Sequence, residues 1–390
     1  MKEQTKKRIQ ELMGEAVTDG TSAGMSLGIW EKGKEVFFES QGYADIEQEN
    51  PIKRDSIFRM YSMTKPITSA AAMILLERGM LDFAQPVSDF FPEYEKLTVD
   101  VNGEILTTDK VMTVQNLLDM TSGLTYGDTD TLSGRMILKY IGSCIQKMDT
   151  ENAVSTVELA RHLGTIPLAF EPDSSWFYGL SADVLGAVIE IASGMPFGEF
   201  LRRNLFEPLG MEDTGFWVPE EKRHRLVKVY ESTGKGEVVP YNGNHLIISN
   251  KMDKPPAFES GGAGLVSTID DYHKFAQMLL NMGSLGDVKI MSPATVRFMT
   301  SGDLTPDQQK SYRDWVGLHG HTYSHLLRIL RNPGQASIVG CKGEYGWDGW
   351  LGCYFANIPE KDMTILLMQQ RKEGGTITTT RRIRNVLMCE

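Results

Sequence analysis

The order of β-like and helical segments constrains this chain most: strand patterns lie towards both ends, and the middle reads as helix. Near the start, Met25-Ser26-Leu27-Gly28-Ile29-Trp30 and Glu35-Val36-Phe37-Phe38-Glu39-Ser40 flank Glu31-Lys32-Gly33-Lys34, a hairpin pattern. Near the end, Cys353-Tyr354-Phe355-Ala356-Asn357 and Met363-Thr364-Ile365-Leu366-Leu367-Met368 are β-like again. Apolar periodicity predicts helices over 114–120, 135–146, 156–163, 182–193 and 197–205. Amphipathic helices are also predicted over 3–18, with Ile9, Leu12, Met13 and Val17 on one stripe, and over 270–282. A last helix is predicted from about Thr380. Segment 211–255 mixes short β runs with turns, and 258–267 is glycine-rich. This order predicts one sheet assembled from the two ends of the chain, with a helical insertion against it. The expected division is an α/β part from 1–82 and 255–390, and a mainly helical part from 83–254.

A chain of 390 residues, 41% hydrophobic and 23% charged, has enough apolar side chains for one large domain or two closely joined ones. Its formal net charge of −11 argues against nucleic acid and anionic membrane surfaces as partners. No run of 18 apolar residues suggests a transmembrane helix. Met1-Lys2-Glu3-Gln4-Thr5-Lys6-Lys7-Arg8 lacks the apolar stretch of a signal peptide behind its basic residues. The four cysteines form no C-x-x-C pair and have no histidine at metal-ligand spacing. They read as free thiols in a reducing, cytoplasmic setting, with no metal and no cofactor expected. The 21 methionines read as adaptable core packing.

Ser62-Met63-Thr64-Lys65 opens a helical pattern that runs through Pro66 and Ile67-Thr68-Ser69-Ala70-Ala71-Ala72-Met73-Ile74-Leu75-Leu76-Glu77-Arg78 to a stop at Gly79. Proline is tolerated in a first turn, and glycine marks a helix C-terminus. Positions i and i+3 share a helix face, so Lys65 can reach the Ser62 hydroxyl. The same first turn aims N–H groups and the positive end of the dipole there. Alone, the pattern also fits an N-cap serine with a solvated lysine. A second copy, Ser232-Thr233-Gly234-Lys235, lies between β-like runs and reads as a hairpin turn. Gly20-Thr21-Ser22-Ala23-Gly24 matches a nucleophile elbow in letters only. A helix precedes it and a strand follows, the reverse of the order an elbow needs, so it is expected to be a loop.

Two more stretches carry chemistry. Glu171-Pro172-Asp173-Ser174-Ser175-Trp176-Phe177-Tyr178-Gly179-Leu180-Ser181 places Tyr178 where the chain enters a helix. Tyr178 there reads either as a half-buried aromatic with its hydroxyl on a backbone carbonyl or, near a lysine, as a general base with a lowered pKa. Gly343-Glu344-Tyr345-Gly346-Trp347-Asp348-Gly349-Trp350-Leu351-Gly352-Cys353 is a glycine-rich strand, and glycines there suggest close approach of another backbone or a ligand.

In order, Ser62-Met63-Thr64-Lys65, Tyr178-Gly179-Leu180 and Trp347-Asp348-Gly349 resemble the S-x-x-K, Y-x-N or Y-S-x, and K-T-G, H-x-G or W-x-G motifs of the serine β-lactamase and penicillin-binding-protein superfamily. The match is nearest to the class C β-lactamase branch and family VIII carboxylesterases. Leu117-Leu118-Asp119-Met120-Thr121-Ser122-Gly123-Leu124, Asn204-Leu205-Phe206-Glu207-Pro208-Leu209-Gly210-Met211 and Ser260-Gly261-Gly262-Ala263-Gly264-Leu265 resemble further segments of that family. The resemblance runs from about residue 20 to 370. It implies an α/β fold of the serine β-lactamase/DD-peptidase type: an antiparallel sheet flanked by helices, with a mostly helical second region. It also implies Ser62 as nucleophile, Lys65 and Tyr178 sharing its proton, and an oxyanion hole from the N–H groups of Ser62 and Trp350.

Two departures shape the expected substrate. Leu180 stands in place of the family's asparagine, and Trp347 in place of a lysine that faces the substrate carboxylate. An indole cannot serve as that cation, and Asp348 beside it adds negative charge. Small neutral esters are therefore expected ahead of penicillins and peptidoglycan stems. Tyr61, Trp176, Phe177, Tyr345, Trp347 and Trp350 are expected to give an apolar pocket, with Leu180, Asp348 and Gly349 at its edge. A β-lactamase, a D-aminopeptidase or DD-peptidase, an acyltransferase acting on an ester or amide, and an inactive ligand-binding relative stay open as alternatives, as does a homo-oligomer.

Overall fold

The computed structural model describes residues 1–127, 129–316 and 318–390. Eight antiparallel strands form the main sheet, in the order His321–Ser324, Leu327–Leu330, Tyr345–Asp348, Tyr354–Ile358, Met363–Gln369, Gly24–Glu31, Lys34–Asp45, Asn50–Pro51. The seam between the two ends of the chain is continuous, from Met25 opposite Gln369 to Glu31 opposite Met363. Side chains alternate across it, as the two-residue period of a strand requires. Met25, Leu27, Ile29, Met363, Ile365 and Leu367 pack under the helices Glu3–Thr18 and Thr378–Met388. Trp30, Leu366 and Met368 point into the larger core on the other face. Both faces are covered, which is why these strands read as nearly unbroken apolar runs.

Within the larger core the helix Thr64–Glu77 is buried on every side from Thr64 to Leu75. A helix without a polar face belongs in an interior, and the small side chains of Ala70, Ala71 and Ala72 let neighbours approach closely. It packs against the helix Ser181–Ser193. Tyr272, on the helix Ile269–Leu280, donates its hydroxyl proton to the Met63 carbonyl at 2.9 Å.

The helices observed at Val114–Leu118, Leu132–Lys147, Thr156–Leu163 and Ser181–Ser193 follow the apolar periodicity closely. The predicted helix over 197–205 instead ends at Leu201 and widens into a π-helical turn, Arg202–Phe206. The hairpin of His321–Ser324 and Leu327–Leu330 was not anticipated. Its turn residues His325 and Leu326 adopt φ of 49° and 61° without glycine or asparagine, so the usual hairpin signal is missing. Ser232 ends the strand Tyr230–Ser232, whose hairpin turn to Val238–Pro240 has Gly234 and Gly236 at positive φ. Ser22 lies in a buried loop and donates to the Gly24 carbonyl at 3.1 Å.

The C-terminal helix is fixed to the sheet by a buried ion pair. Arg384 Nη2 lies 2.8 Å from Glu344 Oε2, with side-chain exposures of 1% and 3%. Removing one partner leaves a buried unpaired charge. Arg384→Met is expected to cost about 3–5 kcal/mol, read from the urea midpoint. Arg384→Met combined with Glu344→Leu should recover most of that loss, because neither charge then remains buried.

Candidate active site

Ser62 occupies the middle of a single 3₁₀ turn, Tyr61–Met63, that runs directly into the helix Thr64–Glu77. The approach to it is clamped. Phe58–Arg59 pairs with Val266–Ser267, and the Met60 N–H donates to the Leu265 carbonyl at 2.8 Å. Tyr61 is held at φ 44°, a left-handed conformation that costs a bulky residue on the order of 1–3 kcal/mol. Its ring is buried against Trp350, with centroids 5.0 Å apart, and His245. This turn leaves Ser62 9% exposed, at the mouth of a cleft.

Lys65 is fully buried, with no exposed surface. Its Nζ lies 3.2 Å from Ser62 Oγ, 3.0 Å from the Tyr126 hydroxyl and 2.8 Å from the Gly262 carbonyl. Three acceptors match the three N–H groups of an ammonium. Burial disfavours that charge and brings the amine down to about 7, against the opposing pull of Asp183 and Asp348. Once neutral, the amine needs a donor for its lone pair. The hydroxyls of Ser62 and Tyr126 can serve, and the Gly262 carbonyl cannot.

Tyr178 reaches the same point from the loop before the helix Ser181–Ser193. A Cβ on Gly179 would lie 2.0 Å from the Leu124 carbonyl. Glycine there lets the two segments touch and sets the Tyr178 and Tyr126 rings edge to face, 5.7 Å apart. The Tyr178 side chain hydrogen-bonds to Ser62, and its oxygen accepts a 2.8 Å hydrogen bond from Trp347 Nε1. Of the two readings of Tyr178, the one with a lowered pKa does not hold. Burial drives it up, and the bonds to Ser62 and Trp347 only partly oppose this. Lys65, not Tyr178, is the group that titrates near neutrality.

The strand Tyr345–Asp348 forms the opposite wall. A Cβ on Gly349 would stand 2.4 Å from the Met60 carbonyl, so glycine lets the strand end press against the backbone leading into Ser62. The next residue, Trp350, is fixed from several sides. Its carbonyl accepts from the Gly374 N–H at 2.7 Å, and its ring stacks on His245 at 4.1 Å. Asp348 points away from Trp347 towards Arg328 at 3.3 Å, yet it still borders the cleft.

The cleft encloses about 330 Å³ between Ser62, Tyr178, Trp347, Asp348, Gly349, Trp350, Glu373 and Gly375. The expected pocket is thus partly redrawn. Trp176 is buried among Tyr178, Tyr312 and Tyr323 and supports the tyrosine from behind. Leu180 is core at the start of its helix, and Tyr345 is core beside Asn357 and Phe355. Tyr61 is walled off by Trp350. Phe177 is half-buried with its N–H on the Met120 carbonyl at 3.0 Å, outside the cleft lining. Tyr126, on Lys65, and Glu373 and Gly375, in the cleft lining, were missed, because loop geometry that no local pattern announces places them there. A second cleft of about 360 Å³, near Phe206, Phe216 and Trp217, has no serine in its lining, and its Lys222 is paired with Asp213 at 2.8 Å.

The sequence profile of the family described as Beta-lactamase matches residues 6–387. Protein Rv1367c of Mycobacterium tuberculosis is 30% identical over 93% of this chain and 89% of its own length. Esterase EstB of Burkholderia gladioli is 26% identical over 88% of this chain and 85% of its own. Among solved structures, that of EstCE1, described as a hydrolase with promiscuous acyltransferase activity, superposes with a TM-score of 0.83 at 24% identity, covering 98% of both chains.

The depressed Lys65 amine makes a direct prediction about Ser62. The neutral fraction of Lys65 grows as pH rises through about 7, and only the neutral amine can take a proton. The rate of Ser62 labelling by a fluorophosphonate probe should therefore rise through that pH and level off above it. A rate flat from acid to mildly alkaline pH would show that Lys65 does not control the serine.

Proposed function

As a member of the Beta-lactamase family the chain is a serine hydrolase, and we propose that it is a carboxylesterase acting on small neutral esters through an acyl-enzyme on Ser62. The observation that carries this reading is the convergence of Lys65 and Tyr178 on the Ser62 hydroxyl at the edge of an aromatic cleft. Similarity to an esterase over most of both chains supports it.

In the proposed reaction the neutral Lys65 amine takes the Ser62 proton as Oγ attacks the ester carbonyl carbon. The N–H groups of Ser62 and Trp350 receive the oxyanion, each such donor being worth about 2.7–4 kcal/mol in a transition state. Among the described residues the Trp350 N–H has no other hydrogen-bond acceptor. As the C–O bond to the alcohol breaks, the Tyr178 hydroxyl hands its proton to the leaving oxygen and is reprotonated from Lys65. Water then attacks the acyl carbon, giving its proton to the same pair, and the Ser62 oxygen departs protonated.

The cleft favours substrates without a negative charge. Trp347 offers an indole where a cation would be needed, and its N–H is already committed to Tyr178. Asp348 and Glu373 both border the space. A buried substrate carboxylate would lose its hydration without compensation, a penalty on the order of several kcal/mol. The four free cysteines support a reducing, cytoplasmic setting.

On one preparation, kcat/KM for p-nitrophenyl butyrate should far exceed that for nitrocefin, and Ser62→Ala should abolish both activities with the fold retained. A nitrocefin value equal to or above the ester value would overturn the substrate class while leaving the nucleophile in place. Trp347→Phe keeps the ring and removes the donor to Tyr178. It should lower kcat about tenfold, the kinetic equivalent of roughly 1.4 kcal/mol, with little change in KM. An unchanged kcat would mean that the indole serves only as a wall.

A further inference from the structure

Asp183 is 2% exposed and lies in the first turn of the helix that follows Tyr178. Its Oδ1 accepts from Ser260 Oγ at 2.5 Å and from the Gly262 N–H at 3.0 Å. The same Gly262 presents its carbonyl to Lys65 Nζ at 2.8 Å. One residue, Gly262, thus meets the carboxylate through its N–H and the amine through its carbonyl. Ser260 Oγ also accepts from the Ala263 N–H at 2.9 Å, and the Gly261 carbonyl accepts from Thr68 Oγ1 at 2.6 Å. The turn at 260–264 is therefore wedged between the helix carrying Lys65 and the helix carrying Asp183. Its glycines are required by contact: a Cβ at 261 would stand 2.3 Å from the Ala182 carbonyl, and one at 262 would stand 2.7 Å from Asp183 Oδ2.

Among the described residues the charges facing Lys65 are few. Ser62, Tyr126 and the Tyr178 ring surround its amine, and the carboxylates that act on it are Asp183 and Asp348. Asp348 has Arg328 at 3.3 Å to balance it. Among the described residues no ion pair involves Asp183; burial raises its carboxyl, and Lys65 together with the hydrogen bonds from Ser260 and Gly262 opposes that rise and favours the carboxylate.

We propose that Asp183 is a positioning residue for the Ser62 reaction: it holds the Gly262 carbonyl on Lys65, and its charge sets how readily Lys65 keeps a proton. The inference rests on Lys65 acting as the base at Ser62. Two effects are separable. The hydrogen bonds orient the amine, and the charge favours its ammonium form.

Asp183→Asn keeps an acceptor for Ser260 and Gly262 but removes the charge. The acidic limb of kcat/KM for p-nitrophenyl butyrate, and of fluorophosphonate labelling, should move to lower pH by about one unit. Ser260→Ala keeps the charge and loosens the turn. It should lower kcat severalfold with KM nearly unchanged and leave the limb where it is in the parent protein. A limb that does not move in a folded Asp183→Asn variant, or that moves equally in Ser260→Ala, overturns the role of the charge. Should Asp183→Asn not fold, Ser260→Ala decides: a lowered kcat at constant KM supports positioning, and an unchanged kcat overturns it. Ser62→Ala separates the two levels. If it stays active, the nucleophile assignment falls and this inference with it. If it is inert while the Asp183→Asn limb stays still, only this inference falls.

Discussion

The dehydration of Lys65 is the condition on which the rest of the structure depends. A lysine in water is an ammonium at neutral pH and a poor proton acceptor. Here the amine has no exposed surface and falls to about 7. Keeping it dry requires that the helix carrying it be covered all round, as it is from Thr64 to Leu75. One layer alone cannot do this. The helix Ile269–Leu280, lying on the sheet, closes one side, and the helix Ser181–Ser193 closes another. An antiparallel sheet with helices packed around the one that carries Lys65 is thus the arrangement that keeps this amine dry.

Glycines explain how segments distant in sequence meet at Ser62 with little tolerance. Gly179 brings the Tyr178 loop against Leu124, Gly262 lies against Asp183, and Gly349 sets the end of the third wall on the Met60 carbonyl. In each case a side chain would have to occupy backbone or carboxylate atoms. These residues belong to the sequence motifs because of what approaches them, the usual role of glycine in a packed strand or turn.

The contrast between what was and was not legible follows the same physics. Ser62, Lys65, Tyr178 and Trp347, which the structure brings together, stand in ordered motifs, and the end-to-end sheet follows from strand patterns at both termini. These signals are local: a period, a spacing, a stop at Gly79. The hairpin at His325-Leu326 was invisible because its turn uses positive φ without glycine or asparagine. Tyr126 was invisible because its place beside Lys65 depends on contacts with residues far away in the chain. Trp176, Leu180 and Tyr345 were placed in the pocket by composition and proximity in sequence. Yet a residue next to Tyr178 in sequence can just as well turn inward, and the buried cluster around Trp176 shows that it does. Of the two readings open for Tyr178, the lowered pKa fails for a related reason: a nearby amine lowers a phenol only if desolvation does not outweigh it.

Trp347 links the proton path to the choice of substrate. A lysine at this position would add a positive charge beside Tyr178, favour its phenolate and attract an anionic ligand. The indole donates one hydrogen bond of 2.8 Å and carries no charge. Tyr178 therefore keeps its proton, and Lys65 remains the amine positioned to accept one from Ser62. In the proposed reaction this divides the labour: Lys65 accepts, Tyr178 donates, and the indole steadies the donor. The same uncharged ring leaves the cleft, bordered by Asp348 and Glu373, without a cation of its own. A neutral ester suits both consequences, because it needs no counter-charge to bind and its alkoxide leaving group needs the proton that Tyr178 retains.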